Sequence, residues 1–179
     1  MGTSSASPER PYVIAYTDGA CAGNPGPGGW AAILRFAAGE VVLRGGASDT
    51  TNNRMELRAA VEALRALEQP CVVHLHTDSE YLRLGITEWL PRWRRDGWRS
   101  AGRRPVKNRD LWRALLATLE LHDVQWHWVK GHADDPGNVR ADLLARSAIE
   151  EIGRQAPPDH EPLDEQLALP LDPGAAAGA

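Results

Sequence analysis

The chain of 179 residues holds only two cysteines, Cys21 and Cys71. They form neither a C-x-x-C pair nor a zinc spacing. That excludes a disulfide scaffold and leaves two buried or inert thiols in a reduced compartment as the expectation. No apolar run approaches the roughly 20 residues that a membrane span requires. The opening MGTSSASPER has no apolar stretch of the kind a secretory leader carries, and Ala6 stands where a myristoylation signal needs Ser or Thr. A cytoplasmic monomer is expected. A basic excess is also missing: 20 Lys and Arg face 24 Asp and Glu, a net charge of −4. Taken alone, that balance argues against a protein that coats nucleic acid by bulk charge. What is present, 42% hydrophobic and 25% charged residues, suits one globular domain with a little length to spare.

The average charge hides a polarity. Residues 83–113 carry ten basic and three acidic side chains, a local +7, which leaves −11 on the other 148 residues. Four of the seven tryptophans, Trp89, Trp93, Trp98 and Trp112, lie in this basic window. Basic side chains interleaved with aromatics suit phosphate contact and stacking on sugars or bases. The same run also reads as a solvated charged helix with tryptophans anchoring its other face.

Local patterns predict an α/β domain. Residues 12–17 read as a strand, residues 21–29 as turn chemistry, and residues 30–36 and 40–45 as a pair of antiparallel strands. Helical spacing of Leu57, Val61, Leu64 and Leu67, with cap-forming side chains at Thr50 to Asn53, predicts a helix over 52–68. A buried-type strand follows at 72–77, then a short helix from Ser79, helical patterns at 87–96 and 109–121, a strand at 124–129 and a last amphipathic helix at 138–153. That order implies a mixed sheet with an antiparallel edge and helices packed on it. Residues 1–10 read as a disordered lead-in. Residues 155–179 hold five Pro, six Ala, two Gly and five acids with no Lys or Arg, so 154–179 read as a disordered acidic tail behind a domain at 11–153.

Two acids stand at strand ends. Asp18 follows the first strand and Asp78 the fourth, and in open α/β sheets ligand-binding groups collect at the carboxyl ends of strands. Each also reads as ordinary turn chemistry, Asp before Gly or Ser. Glu56 falls in the first turn of the first long helix, where a carboxylate suits the dipole and also reads as a capping acid. Clustered carboxylates require a cation to neutralise them. Hard oxygen ligands without a Cys/His set point to Mg2+ or Mn2+ rather than zinc.

Taken in order, YTDGACAGNPGPGGWAAIL, TTNNRMEL, HTDSEYLRLGITEW, RPVKNRDLW and WVKGHADDPGNVRADLLA resemble ribonuclease H type 1, the bacterial ribonuclease HI form. The likeness covers about residues 11–150 and includes the basic protrusion at about 87–109. It implies a ribonuclease H-like fold, a five-stranded mixed sheet flanked by helices, and an endonuclease that hydrolyses the RNA strand of RNA–DNA hybrids. It places the four metal-binding carboxylates on Asp18, Glu56, Asp78 and Asp142 and a mobile catalytic histidine on His132. Two Mg2+ ions, with Mn2+ as a substitute, would act on the scissile phosphate and leave 5′-phosphate and 3′-hydroxyl ends. RNA is told from DNA by its 2′-hydroxyls, and the resemblance puts Asn24, Asn52 and Glu80 at that surface. The DNA strand falls to Thr51 and Asn108 around a phosphate and to Trp93 on a sugar. Trp89, Trp98 and Trp112 are expected to pack the protrusion, Trp126 and Trp128 to face the core, and Asn138 to support the last carboxylate loop.

The chain departs from the family pattern in three places. Glu80 replaces a common Gln, and Asp49 stands where the phosphate pocket often has Arg, which should weaken that grip. Asp134 and Asp135 follow His132 where relatives commonly show Gly-His; they are expected to hold a stray metal or slow the histidine. In the tail, Gln166, Leu167, Leu169 and Leu171 resemble the Q-L-x-L-P-L motif that binds the bacterial sliding clamp, with a Gln for a polar rim and leucine anchors for an apolar pocket. The same residues also read as incidental leucines in an Ala/Pro-rich tail.

Overall fold

The computed structural model describes residues 10–130 and 135–161. Strands β1 (Tyr12–Cys21), β2 (Gly26–Phe36) and β3 (Gly39–Thr50) form an antiparallel meander. Strands β4 (Val72–Thr77) and β5 (Asp123–Trp128) add in parallel beyond β1, so the sheet runs β3-β2-β1-β4-β5. This is the expected five-stranded mixed sheet. The meander strands are longer than their sequence suggests. Glycines that read as turn chemistry pair across the ladder, Gly29 with Gly46 and Trp30 with Gly45, because a tertiary ladder overrides weak strand propensity.

Side chains alternate across the sheet. Val13 and Ala15 on β1 and Val73 and Leu75 on β4 are fully buried in the main core, with Leu57, Val61 and Leu64 of α1 (Asn52–Arg65) and Leu111, Trp112 and Leu115 of α4 (Arg109–Leu119). The opposite face buries Tyr16 and Ile33 against Ala141 of α5 (Pro136–Glu151), with Leu144 packed alongside. Trp126 and Trp128 pack at the margin of the main core and stack on each other, centroids 5.3 Å apart. Thr51 caps α1, its Oγ1 accepting from Arg54 N at 3.4 Å. Such a cap is worth about 1 kcal/mol. Among the described residues no helix is long and apolar enough to cross a membrane.

The basic window folds as α2 (Glu80–Leu84), a π-helical turn at Gly85–Trp89, and α3 (Leu90–Arg95). Trp89, Trp93, Trp98, Trp112 and Tyr81 form one aromatic cluster with centroids 5.4–6.4 Å apart. Trp112 is its buried base. Gly85 lets the chain pass over that indole: a Cβ there would lie 1.9 Å from Trp112 Cη2.

Past residue 153 the chain remains part of the folded body, contrary to the composition-based boundary. Gly153–Gln155 make a helical turn. Ser48 N then donates to Pro157 O at 3.3 Å and Asp159 N to Asp49 O at 3.0 Å, which lays the segment along the end of β3. Asp159 Oδ1 meets Arg54 Nη2 at 2.8 Å and Arg58 Nη2 at 2.9 Å, and Arg109 N donates to Glu161 Oε1 at 2.9 Å. The physical reason is Arg54. Its side chain is 4% exposed, and it needs both Asp110, at 2.8 Å, and Asp159. Burial alone would lower its pKa, but those two carboxylates hold the guanidinium charge above its ordinary strength. Residues 162–179, with Gln166, Leu167, Leu169 and Leu171, lie outside the described residues, as do residues 1–9.

Candidate active site

The parallel pairing of β1 with β4 sets the site. Residues pair at a constant offset, Tyr12 with Val72 through Tyr16 with His76, and the same offset sets Asp18 beside Asp78. Asp78 follows β4 as expected, whereas Asp18 lies within β1, which runs on to Cys21 because the meander pairing with β2 continues past it. Glu56 arrives from the first turns of α1. Gly19 makes that approach possible: a Cβ there would lie 2.3 Å from Glu56 N and from Met55 C. One carboxylate oxygen from each of Asp18, Glu56 and Asp78 lies within 4.8 Å of the others. Asp142, from α5, lines the same cavity of about 670 Å3. Arg146 Nε donates to Asp142 Oδ1 at 2.8 Å.

The cluster is electrostatically unsatisfied. Asp18 is 3% and Glu56 7% exposed. Asp18 Oδ2 and Glu56 Oε2 are buried with no hydrogen-bond partner among the described residues. Burial first, then the Asp78 and Asp142 charges, push the Asp18 pKa up to about 8. Burial and the Asp18 and Asp78 charges likewise raise Glu56 well above the usual carboxylate range. Orphaned buried carboxylate oxygens converging in an open cavity are what a hard divalent cation satisfies. The residues therefore fit Mg2+ or Mn2+, and the all-oxygen donor set does not favour zinc.

The remaining expected site residues are spread along a surface leading from this cavity. Asn24 Oδ1 accepts from Asn52 N at 3.2 Å, which ties the loop before β2 to the start of α1, and Asn52 lines the cavity. Glu80 also lines it, in a two-pronged pair with Arg83, and that guanidinium holds the carboxyl below the usual range. Thr51 accepts at the α1 cap through Oγ1. Asn108 sits in the left-handed region at φ 57°. Its Oδ1 accepts from Arg54 at 3.3 Å and its Nδ2 donates to Tyr81 Oη at 3.1 Å. Trp93 is half-buried, with part of its ring open to a groove beside Asn108. His132 and Asp134 lie outside the described residues.

Two of the departures look different in place. Asp135 is the N-cap of α5: Oδ1 accepts from Gly137 N at 2.9 Å and Asn138 N at 3.3 Å, and Oδ2 lies 3.4 Å from His76 Nδ1. One oxygen is committed to the helix end and the other faces His76, which leaves Asp135 poorly placed to capture a stray metal. Asp49 faces His160 at 3.4 Å and carries the returning tail. Sequence reasoning missed Tyr81, whose hydroxyl takes hydrogen bonds from both Asn108 and Trp112, and Arg146, the one cation among the described residues that line the acid cavity. A basic residue four positions after Asp142 on a helix was the available signal. It also missed a column of imidazoles, His74, His127 and His76. His74 Nδ1 meets His127 Nε2 at 2.8 Å, and His127 stacks on His76. The even spacing of His74 and His76 on β4 was visible, but the partner strand was not.

A family model described as RNase H matches residues 10–150. The ribonuclease H of Bradyrhizobium diazoefficiens is 60% identical over 141 residues, covering 79% of this chain and 92% of that protein. The ribonuclease H of Chromohalobacter salexigens is 57% identical over 152 residues, covering 85% and 93%. Among solved structures, LC9-RNase H1, a type 1 RNase H with the type 2 active-site motif, superposes with a TM-score of 0.74 at 30% identity. That match covers 92% of this chain and 84% of the other.

Proposed function

The chain belongs to the ribonuclease H family, and from that premise we propose that it is an endonuclease that hydrolyses the RNA strand of RNA–DNA hybrids, with Asp18, Glu56, Asp78 and Asp142 holding two Mg2+ or Mn2+ ions. The observation that carries this reading is the meeting of Asp18, Glu56 and Asp78 oxygens within 4.8 Å, with Asp18 Oδ2 and Glu56 Oε2 buried and lacking a hydrogen-bond partner among the described residues. When bound, divalent cations there would supply positive charge to a scissile phosphate and make a water more acidic.

The chain's own groups do the rest. The carboxylates fix the position at which the phosphate must lie. Asn24, Asn52 and Glu80 line the approach where 2′-hydroxyls are sorted from deoxyribose, and Arg83 keeps the Glu80 charge from repelling the backbone. The Thr51 hydroxyl and the second Asn108 amide proton would donate to a phosphate of the DNA strand, and Trp93 offers its open face to a sugar. The basic side chains of the protrusion add salt-dependent attraction. His132 takes the proton-transfer role because an imidazole titrates near neutrality. The products carry 5′-phosphate and 3′-hydroxyl ends. Residues 166–171 bind the sliding clamp, and the protein works as a cytoplasmic monomer.

The test is cleavage of an end-labelled hybrid beside matching RNA and DNA duplexes, with and without Mg2+. The expected result is metal-dependent cutting of the hybrid alone. Asp18→Asn retains hybrid binding in Ca2+ and loses cleavage by a factor of at least about 10^3. Equal cutting of the RNA duplex, or cleavage surviving in Asp18→Asn, overturns the assignment.

A further inference from the structure

The aromatic cluster and the loop before α4 enclose a second groove of about 410 Å3, which adjoins the acid cavity across Asn53 and Tyr81. Trp89, Trp93 and Val106 supply apolar walls, Arg92, Arg104 and Lys107 supply charge, and no described acidic residue lines it. The last described residue, Glu161, is pinned by Arg109 N, next to Asn108 at the groove's mouth. The described chain therefore ends beside this groove. The next eleven residues, PLDEQLALPLD, carry three acids (Asp164, Glu165 and Asp172), four leucines and no base.

We propose that residues 162–172 fold back into this groove and act as an internal competitor for nucleic acid, an inference that rests on the hybrid reading above. The acids answer Arg92, Arg104 and Lys107 as phosphates would, and the leucines answer the tryptophan walls. Reach is not limiting. Five extended residues span about 16 Å, roughly twice the edge of a cube of the groove's volume. A tether this short gives an effective concentration on the order of 1 mM. A contact that would be only millimolar between separate molecules is then about half occupied or more, and it raises the apparent KM for a hybrid roughly two- to five-fold while leaving kcat unchanged.

The test uses the full chain carrying Leu163→Ser, Asp164→Asn and Glu165→Gln, all outside the described residues and the clamp-like motif. Its KM for a hybrid is expected to fall about three-fold at low salt with kcat unchanged. The difference should vanish near 0.5 M NaCl, where screening reaches a few ångströms. A synthetic peptide of residues 162–172, titrated into this variant without nucleic acid, should shift tryptophan emission with a millimolar midpoint and, with hybrid present, restore the wild-type KM. Equal KM values together with unchanged emission at several millimolar peptide overturn the proposal, as does a change confined to kcat. If neither protein cuts hybrids while the peptide still titrates the tryptophans, the tail contact stands and the hybrid reading falls.

Discussion

Asp18 should destabilise the metal-free protein in a pH-dependent way. Its carboxyl is 3% exposed, and its pKa rises from 3.8 unfolded to about 8 folded. A group that holds its proton more tightly when folded gives its full favourable contribution below the unfolded pKa and loses it as pH climbs toward the folded one. For Asp18 that window runs from about 4 to 8. Each unit is worth about 1.4 kcal/mol, so two units, from about pH 5.5 to 7.5, cost at most about 2.7 kcal/mol. Glu56 is raised by the same burial and shares the field, so a loss of roughly 1.5–3 kcal/mol is expected in total. For a domain of this size that is about 4–9 °C in Tm. Thermal unfolding in EDTA at the two pH values reads it directly. Wild type should fall by this amount, Asp18→Asn should fall much less, and Asp18→Asn should be the more stable protein at pH 7.5. Millimolar Mg2+ should raise the wild-type Tm at pH 7.5 by linkage and move Asp18→Asn little. An Asp18→Asn protein less stable than wild type in EDTA, or one with an unchanged pH slope, refutes this account of the cluster.

Three further outcomes follow from particular contacts. Arg54→Met strands Asp110 and Asp159 and should cost about 3 kcal/mol in urea unfolding, with part of the loss recovered when both acids are also made Asn. Gly19→Ala pushes α1 away from β1. It should weaken Mg2+-dependent thermal stabilisation and cut hybrid cleavage by about 10^2 in a protein whose far-UV circular dichroism is unchanged. Asp135→Ala removes the α5 cap and should cost about 1 kcal/mol. Asp135→Asn keeps the cap and should leave the Mg2+ dependence of cleavage where it was, which a shifted metal titration would contradict.

The strand and helix order was legible because it rests on local periodicity: β4 over 72–77 and the start of α1 at Asn52 read straight from their spacing. The length of β3 was not, since the strand pattern stops at Gly45, and Gly46 onward joins the ladder only because β2, including Gly29 from the stretch read as a turn, stands opposite. Asp18, Glu56 and Asp78 each read equally well as turn or cap residues, being tens of positions apart. Motif likeness singled them out, and the sheet brings them together. The docking of 156–161 was hidden for a related reason. Asp159 and Glu161 look like solvating charges by composition, and only the buried Arg54 and the open N-terminus of α4 give them partners.

The constant offset between β1 and β4 has a consequence for how function is gained and lost. The two strands work like a vernier. A slip of one notch turns Asp78 to the wrong side of the sheet, and a slip of two carries it about 7 Å along the strand, beyond the separation at which the three oxygens meet. No intermediate setting preserves partial alignment. The Asp18–Asp78 pair is therefore quantised by strand pairing: the central ladder either sets the two carboxylates side by side or leaves them unable to share a cation.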